Sequence, residues 1–285
     1  MNVIPLNALN LHEGETVSVL ANVLHVDAYW NPDSQSICTA VEFSDFSGTA
    51  TFQVEGPHTP ALRDQQVIQA TVTPIAGRRD IRGVMHTALP MPYDVIPNPF
   101  WCLPQKLTPV VARPALAQLT QAALSLSTPD IATFIGELVL YDYVPFLTAP
   151  AGLRHHHAYP GGLLVHYAGI WDRLQPWLTR DDAEDQDLAL ACVIAHDIGK
   201  IRKCGTVASN PVNRFQTHEM LGLEMVNGPL RRMGEVWPEG AARLNRVIYW
   251  MLMPNPHRQF LSQLGRAIAQ ADREDAREGA TGPAA

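Results

Sequence analysis

The sequence predicts an α+β chain, a small β-barrel followed by an all-α domain, and three observations carry that expectation. Residues 14–91 alternate apolar and polar side chains in short valine- and threonine-rich runs broken at glycines. Residues 89–110 hold six prolines, which forbid helix interior and central strand alike. Beyond them the apolar spacing changes to i, i+3, i+4, the period of a helix with one buried face.

The strands come in order. GETVSVLANVLHVDAYW (14–30) alternates and is rich in valine, and SICTAVEFSDFSGTATFQVEG (36–56) gives two strands around the turn Asp45-Phe46-Ser47-Gly48. QQVIQATVTPIAG (65–77) is another, and Arg78 to Gly83 turns into a last strand, VMHTALPM (84–91). About five strands with glycine turns suit a small closed barrel of the OB type, with a small β-sandwich as the alternative. The prolines place the domain boundaries: a barrel over 1–92, a linker over 93–110, a helical domain over 111–277 and a disordered tail over 278–285. The expected helices are 112–126, 131–144, 161–178, 186–198, 215–233, 239–252 and 259–277. Ser127-Thr128-Pro129 offers the cap for the second of them.

At 285 residues, 46% hydrophobic and 17% charged, the chain has the composition of a globular protein with a sizeable core. The N-terminus lacks the basic start of a secretory leader, and no apolar run is long enough to span a bilayer. Cys38, Cys102, Cys192 and Cys204 lie far apart with no C-x-x-C pair, the pattern of reduced thiols in a cytoplasmic protein. The net charge of −7 is concentrated at the start: residues 1–100 carry 4 Lys/Arg against 10 Asp/Glu, residues 101–285 carry 17 against 18. That balance excludes a long electrostatic footprint on nucleic acid.

Seven of the 11 histidines fall between residues 155 and 257: His155, His156, His157, His166, His196, His218 and His257. A single helical histidine is far more often a packing residue than a ligand. His196-Asp197 is different. It ends the strongly apolar segment DLALACVIAHDIGK, where an ionisable pair faces costly desolvation unless something compensates it. Neighbouring helical residues point about 100° apart, so both reach one ion only at a helix end that faces a cavity. GGLLVHYAGIWDRL brings His166 on a second buried helix. Imidazole and carboxylate without thiolate suit Mn²⁺, Fe²⁺, Zn²⁺ or Ni²⁺ and leave the identity open; manganese is the ion expected, with Mg²⁺ a further alternative.

PAGLRHHHAYPGGLLVH followed by AHDIGK resembles the HD superfamily of metal-dependent phosphohydrolases, whose signature is His…His-Asp…Asp. With the barrel in front, the chain is similar above all to YhaM-like 3′-5′ exoribonucleases, which join an OB domain to an HD domain. Similar text occurs in the HD domain of MobH-type, TraI-like conjugative relaxases. The resemblance implies metal ligation by His166, His196, Asp197 and Asp272, with His218 as the extra histidine of two-ion members. The further histidine pair of those members is missing: RVIYWMLMPNPH offers only His257. One tightly held ion is therefore expected, a second being weak or absent.

The implied activity is a phosphodiesterase or 3′-5′ exonuclease on single-stranded nucleic acid. A small-nucleotide phosphohydrolase, or a non-catalytic accessory factor of a mobile element, are the alternatives. Asp197, His157 and Lys200 are the candidate catalytic residues, and Arg154, His156 and Lys200 the candidate phosphate holders. In the barrel, Arg78, Arg79 and Arg82 are candidate phosphate contacts and Trp30, Phe43 and Phe52 candidate stacking platforms. The acidic balance favours instead a solvated arginine turn and aromatics that fill the barrel. The barrel also suits protein docking, so a homo-oligomer is a further expectation.

Overall fold

The alternation of residues 14–91 becomes five strands: β1 (Val17–Asn31), β2 (Ser36–Ser44), β3 (Thr49–Val54), β4 (Val67–Pro74) and β5 (Gly83–Pro90). The computed structural model describes residues 3–32, 34–54, 62–64, 66–75, 83–91, 96, 98–153, 156–178, 183–205, 213, 215–253 and 262–279. The chain divides into two units, Met1–Val95 with Trp101–Lys106, and Ile96–Phe100 with Leu107–Ala285. The proline-rich segment is thus shared between them.

In the first unit β1 is the organising element. Its first half pairs with β4 (Val17↔Val72 to Asn22↔Val67) and its second with β2 (Asn22↔Ser44 to Asn31↔Ser36). A register shift between Val23 and His25 marks the handover, since an irregularity of this kind bends a strand enough to serve two partners. The hydrogen-bonded order runs β1-β2-β3-β5-β4 and returns to β1, one continuous ring in which only β3–β5 is parallel. Phe43 and Phe52 lie fully inside it, with ring centroids 5.4 Å apart, among Val19, Val23, Val41, Ile68, Val72 and Met85. They fill the core and present no stacking face. Trp30 is exposed.

Leu6–His12 forms a 3-10 turn that the sequence reading did not anticipate, and Leu6 and Leu9 complete this core. The expected turn at Asp45 is present, and Asp45 organises it. Its buried carboxylate accepts the N–H groups of Leu6 (2.8 Å), Ser47 (2.7 Å) and Gly48 (2.9 Å) and the Ser47 hydroxyl (2.6 Å).

The second unit holds α1 (Arg113–Ala123), α2 (Pro129–Val139), α3 (Tyr143–Thr148), α4 (Gly162–Leu174), α5 (Ala183–Ala195), α6 (Lys200–Lys203), α7 (His218–Val236), α8 (Pro238–Leu252) and α9 (Gln263–Gly279). The single helix expected over 131–144 is two. Pro145 has no N–H, and its ring excludes the carbonyl four residues back, so α2 stops and the chain restarts as α3. The expected Thr128 cap makes no side-chain hydrogen bond. Asp187 of α5 instead accepts the N–H groups of Ser127 (3.0 Å) and Thr128 (2.8 Å). Residues Leu188–Ala195 are buried all round, the mark of a central helix. α5 packs on α2, α4, α8 and α9, while α4 packs on α1, α3 and α9. No described helix is long and apolar enough to cross a membrane. Four cysteines are free. Of the expected tail, residues 280–285 lie outside the described residues, as do Arg78, Arg79, Arg82, Arg154, His155 and His257.

Removing the Asp45 carboxylate strands buried N–H groups, each worth about 1–3 kcal/mol. Asp45→Ala is predicted to lower the stability of the N-terminal unit by roughly 2–4 kcal/mol in urea denaturation. Unchanged stability would contradict its role as the turn's organiser.

Candidate metal centre

Local features of three segments bring their ionisable groups to one point. Gly161 opens α4 with φ +79°, in the left-handed region that glycine adopts without penalty. A Cβ on Gly162 would lie 2.0 Å from the His157 carbonyl oxygen, so only glycine lets the histidine loop close over the first turn of α4. His166 follows one turn later, fully buried. α5 ends at Ala195, and His196 and Asp197 occupy the turn beyond it. A Cβ on Gly199 would lie 1.9 Å from the His218 carbonyl oxygen, so its absence lets the start of α7 close on this turn. Asp272 comes from α9.

The Nε2 atoms of His166 and His196 each lie 3.3 Å from Asp197 Oδ2, and His166 Nε2 lies 3.3 Å from Asp272 Oδ1. Ligand atoms of these four residues all fall within 4.8 Å of one another. Hydrogen-bonding logic tests whether they fit an ion. His196 Nδ1 lies 2.7 Å from the Val193 carbonyl, which can only accept, so Nδ1 bears the proton and Nε2 a lone pair. His166 Nδ1 lies 2.7 Å from Asp275 Oδ2. Both Nε2 atoms are buried with no hydrogen-bond partner. Two unpartnered imidazole nitrogens and two carboxylates facing one point are a donor set that fits a divalent cation.

A second combination, His157, His166 and Asp275, also has ligand spacing. There the groups are already joined, His157 Nε2 to Asp275 Oδ2 at 2.9 Å and His166 Nδ1 at 2.7 Å, so the triad is a hydrogen-bond network.

Electrostatics follow the same arrangement. Burial opposes charge on His166, but Asp197, Asp272 and Asp275 outweigh it, and its pKa is pushed up to about 10. Burial likewise opposes ionisation of Asp197, but His196 and Lys200 hold the carboxyl well below its ordinary range. Asp272 and Asp275 are lowered too, burial being overcome by His166 and, for Asp275, by His157 as well. His156 is shifted the other way, by burial and then by the charges of His166 and Lys200, and stays neutral near pH 7.

A pocket of about 220 Å³ opens on the cluster, lined by His156, His196, Asp197, Lys200, His218, Glu219, Met251, Asp272 and Arg273. A larger cavity in the N-terminal unit, about 380 Å³, has Glu13 as its only carboxylate and no histidine. Chemistry rather than size therefore selects the smaller one.

His218 Nε2 lies 3.3 Å from Asp197 Oδ1, the carboxylate oxygen turned away from the four-ligand point. Lys200 pairs with Asp197 Oδ2. The His156 Nε2 is buried and has no partner among the described residues. His157, with φ +49°, has both ring nitrogens engaged, Nδ1 with the Tyr159 hydroxyl at 3.0 Å and Nε2 with Asp275. Sequence reasoning missed Asp275, Arg173 and Arg273. The signal for Asp275 was its place three residues after Asp272, on the same face of α9. Arg273 had no signal apart from other surface arginines.

No protein-family model and no solved structure matches the chain. Among characterised proteins it is similar to the 3′-5′ exoribonuclease YhaM of Bacillus velezensis and of Bacillus subtilis, 27% identical to each over 111 residues. That stretch is 39% of this chain, and it spans about a third (34%) of the length of each relative. The similarity supports a relationship to nuclease-type hydrolases.

Two outcomes follow from this geometry. Asp197→Asn is predicted to abolish tight binding of Mn²⁺ or Zn²⁺ by elemental analysis while circular dichroism stays helical; wild-type stoichiometry in the variant would exclude the cluster. Ion and proton also compete for His166 Nε2. Below pH 10 the metal-free chain holds the extra proton, so apparent metal affinity should rise with pH, about tenfold per unit between pH 6.5 and 8.5. A flat profile in a chelator-competition titration would contradict that competition.

Proposed function

We propose that the chain is an HD-type, metal-dependent phosphohydrolase that shortens single-stranded nucleic acid from its 3′ end. The observation that carries the reading is the convergence of the unpartnered His166 and His196 Nε2 atoms with Asp197 and Asp272 beside a pocket holding cationic side chains. Similarity to 3′-5′ exoribonucleases supplies the polarity and the substrate class. The strand order β1-β2-β3-β5-β4 supports an OB-like barrel in front of the helical domain.

His166, His196, Asp197 and Asp272 would hold the ion, manganese being the one proposed. Bound there, it supplies Lewis acidity that makes hydroxide available near neutral pH and draws charge from the phosphoryl oxygens. The chain does the rest. Arg273 is exposed at the pocket wall with no partner among the described residues, and is placed to grip a phosphate. Lys200, paired with Asp197, adds a second positive charge to the pocket lining. His156, neutral with an open Nε2, is the group available to accept a proton released as water attacks the phosphorus. His157 is committed to Asp275 and Tyr159 and supports the site instead. A second ion would find Asp197 Oδ1 and His218, but Met251 forms part of the remaining wall, so its binding is weak.

One observation favours a second reading, hydrolysis of small nucleotides: the acidic balance of residues 1–100 disfavours a long polyanion. Purified protein with Mn²⁺ separates them. Against 5′-labelled single-stranded RNA, single-stranded DNA and a nucleotide panel, the proposal expects stepwise shortening of a labelled strand. Cleavage of nucleotides alone would favour the second reading, and no hydrolysis of any would overturn both. Arg273→Ala is predicted to raise KM about tenfold with kcat nearly unchanged, as loss of a charge-assisted phosphate contact does. An unaltered KM would remove Arg273 from the substrate site.

A further inference from the structure

His166, Gly169 and Arg173 form one stripe of α4, and this stripe faces Asp272 and Asp275 on α9. Asp275 is buried and fully engaged. Its Oδ2 lies 2.7 Å from His166 Nδ1 and 2.9 Å from His157 Nε2, and its Oδ1 accepts from Arg173 Nη1 at 3.0 Å. Arg173 is itself anchored to the Gly169 carbonyl at 2.8 Å and paired with Glu278.

An ionised carboxylate only accepts, so each imidazole must direct an N–H at Asp275. Left alone, a neutral imidazole carries its proton on either ring nitrogen. Here Nδ1 must keep its proton, so Nε2 is the nitrogen whose lone pair is available to an ion at the four-ligand point. The carboxylate fits because residue 169 is glycine: a Cβ there would lie 2.0 Å from Asp275 Oδ1.

We infer that Asp275 is a positioning residue: held by Arg173, it fixes the tautomer and ring orientation of His166 and thereby sets the affinity of the four-ligand centre. Asp275 touches neither the ion nor the substrate. It acts only through the histidine, as carboxylates behind metal-bound histidines do, with about 10- to 100-fold in metal affinity at stake. The inference rests on the metal-centre reading above.

The test compares the full-length wild type with Asp275→Asn, Gly169→Ala and Arg173→Met. It measures Zn²⁺ affinity by chelator competition, the visible spectrum of the Co²⁺ form, and helicity by circular dichroism. Asp275→Asn is expected to bind one ion with about 10- to 100-fold weaker affinity and an altered Co²⁺ spectrum. Gly169→Ala, which leaves every ligand in place but pushes the carboxylate aside, should shift affinity in the same direction, and Arg173→Met by less. Should Asp275→Asn fail to fold, Gly169→Ala and Arg173→Met read the same quantity. Wild-type affinity and spectrum in the folded variants would overturn the inference alone. Absence of binding by the wild type would overturn the metal-centre reading with it.

Discussion

The helical unit depends on how the charge around His166 is neutralised. Asp197, Asp272 and Asp275 meet the imidazoles of His157, His166 and His196 in a region from which water is largely excluded. Burying so many carboxylates without matching positive charge costs several kcal/mol per ion. In the chain by itself the compensation comes from Lys200 on Asp197, Arg173 on Asp275 and a proton on His166. Each is a cation doing what a divalent ion at the His166–His196–Asp197–Asp272 point would do more compactly. An ion bound there would take over the role of the His166 proton and the Lys200 ammonium, so its affinity is coupled to both.

Close backbone approach is the second constraint. Gly162, Gly169 and Gly199 each stand where a single added carbon would collide with an oxygen of the site or its support. α4 and the turn after α5 therefore cannot sit where they do with any other residue, and the histidines they bear would not converge. The buried residues Leu188–Ala195 give the turn that bears His196 and Asp197 a packed support.

Much of this was legible in the sequence. The four residues that cluster here could be read because each stands beside a signpost: two glycines before His166, an apolar helix before His196-Asp197, and the last amphipathic helix around Asp272. The five strands were legible from alternation, and the ring closes because β1 is long enough to pair on both sides. What stayed hidden depends on depth and proton position. Asp275 reads as one more acid in QADREDA until its distance to His166 Nδ1 is known. His157 reads as an open imidazole until both its nitrogens are seen to be engaged. The split between α2 and α3 was available in Pro145, but the apolar run across Leu138–Val144 outweighed it in a reading by periodicity.

The central claim is that His166, His196, Asp197 and Asp272 form one metal site. Anomalous diffraction from crystals equilibrated with saturating Mn²⁺ tests it most directly. The account predicts one fully occupied peak about 2.0–2.3 Å from His166 Nε2, His196 Nε2 and oxygens of Asp197 and Asp272, with the Lys200 ammonium displaced from Asp197. No peak at that point, with Lys200 still on Asp197, would contradict it.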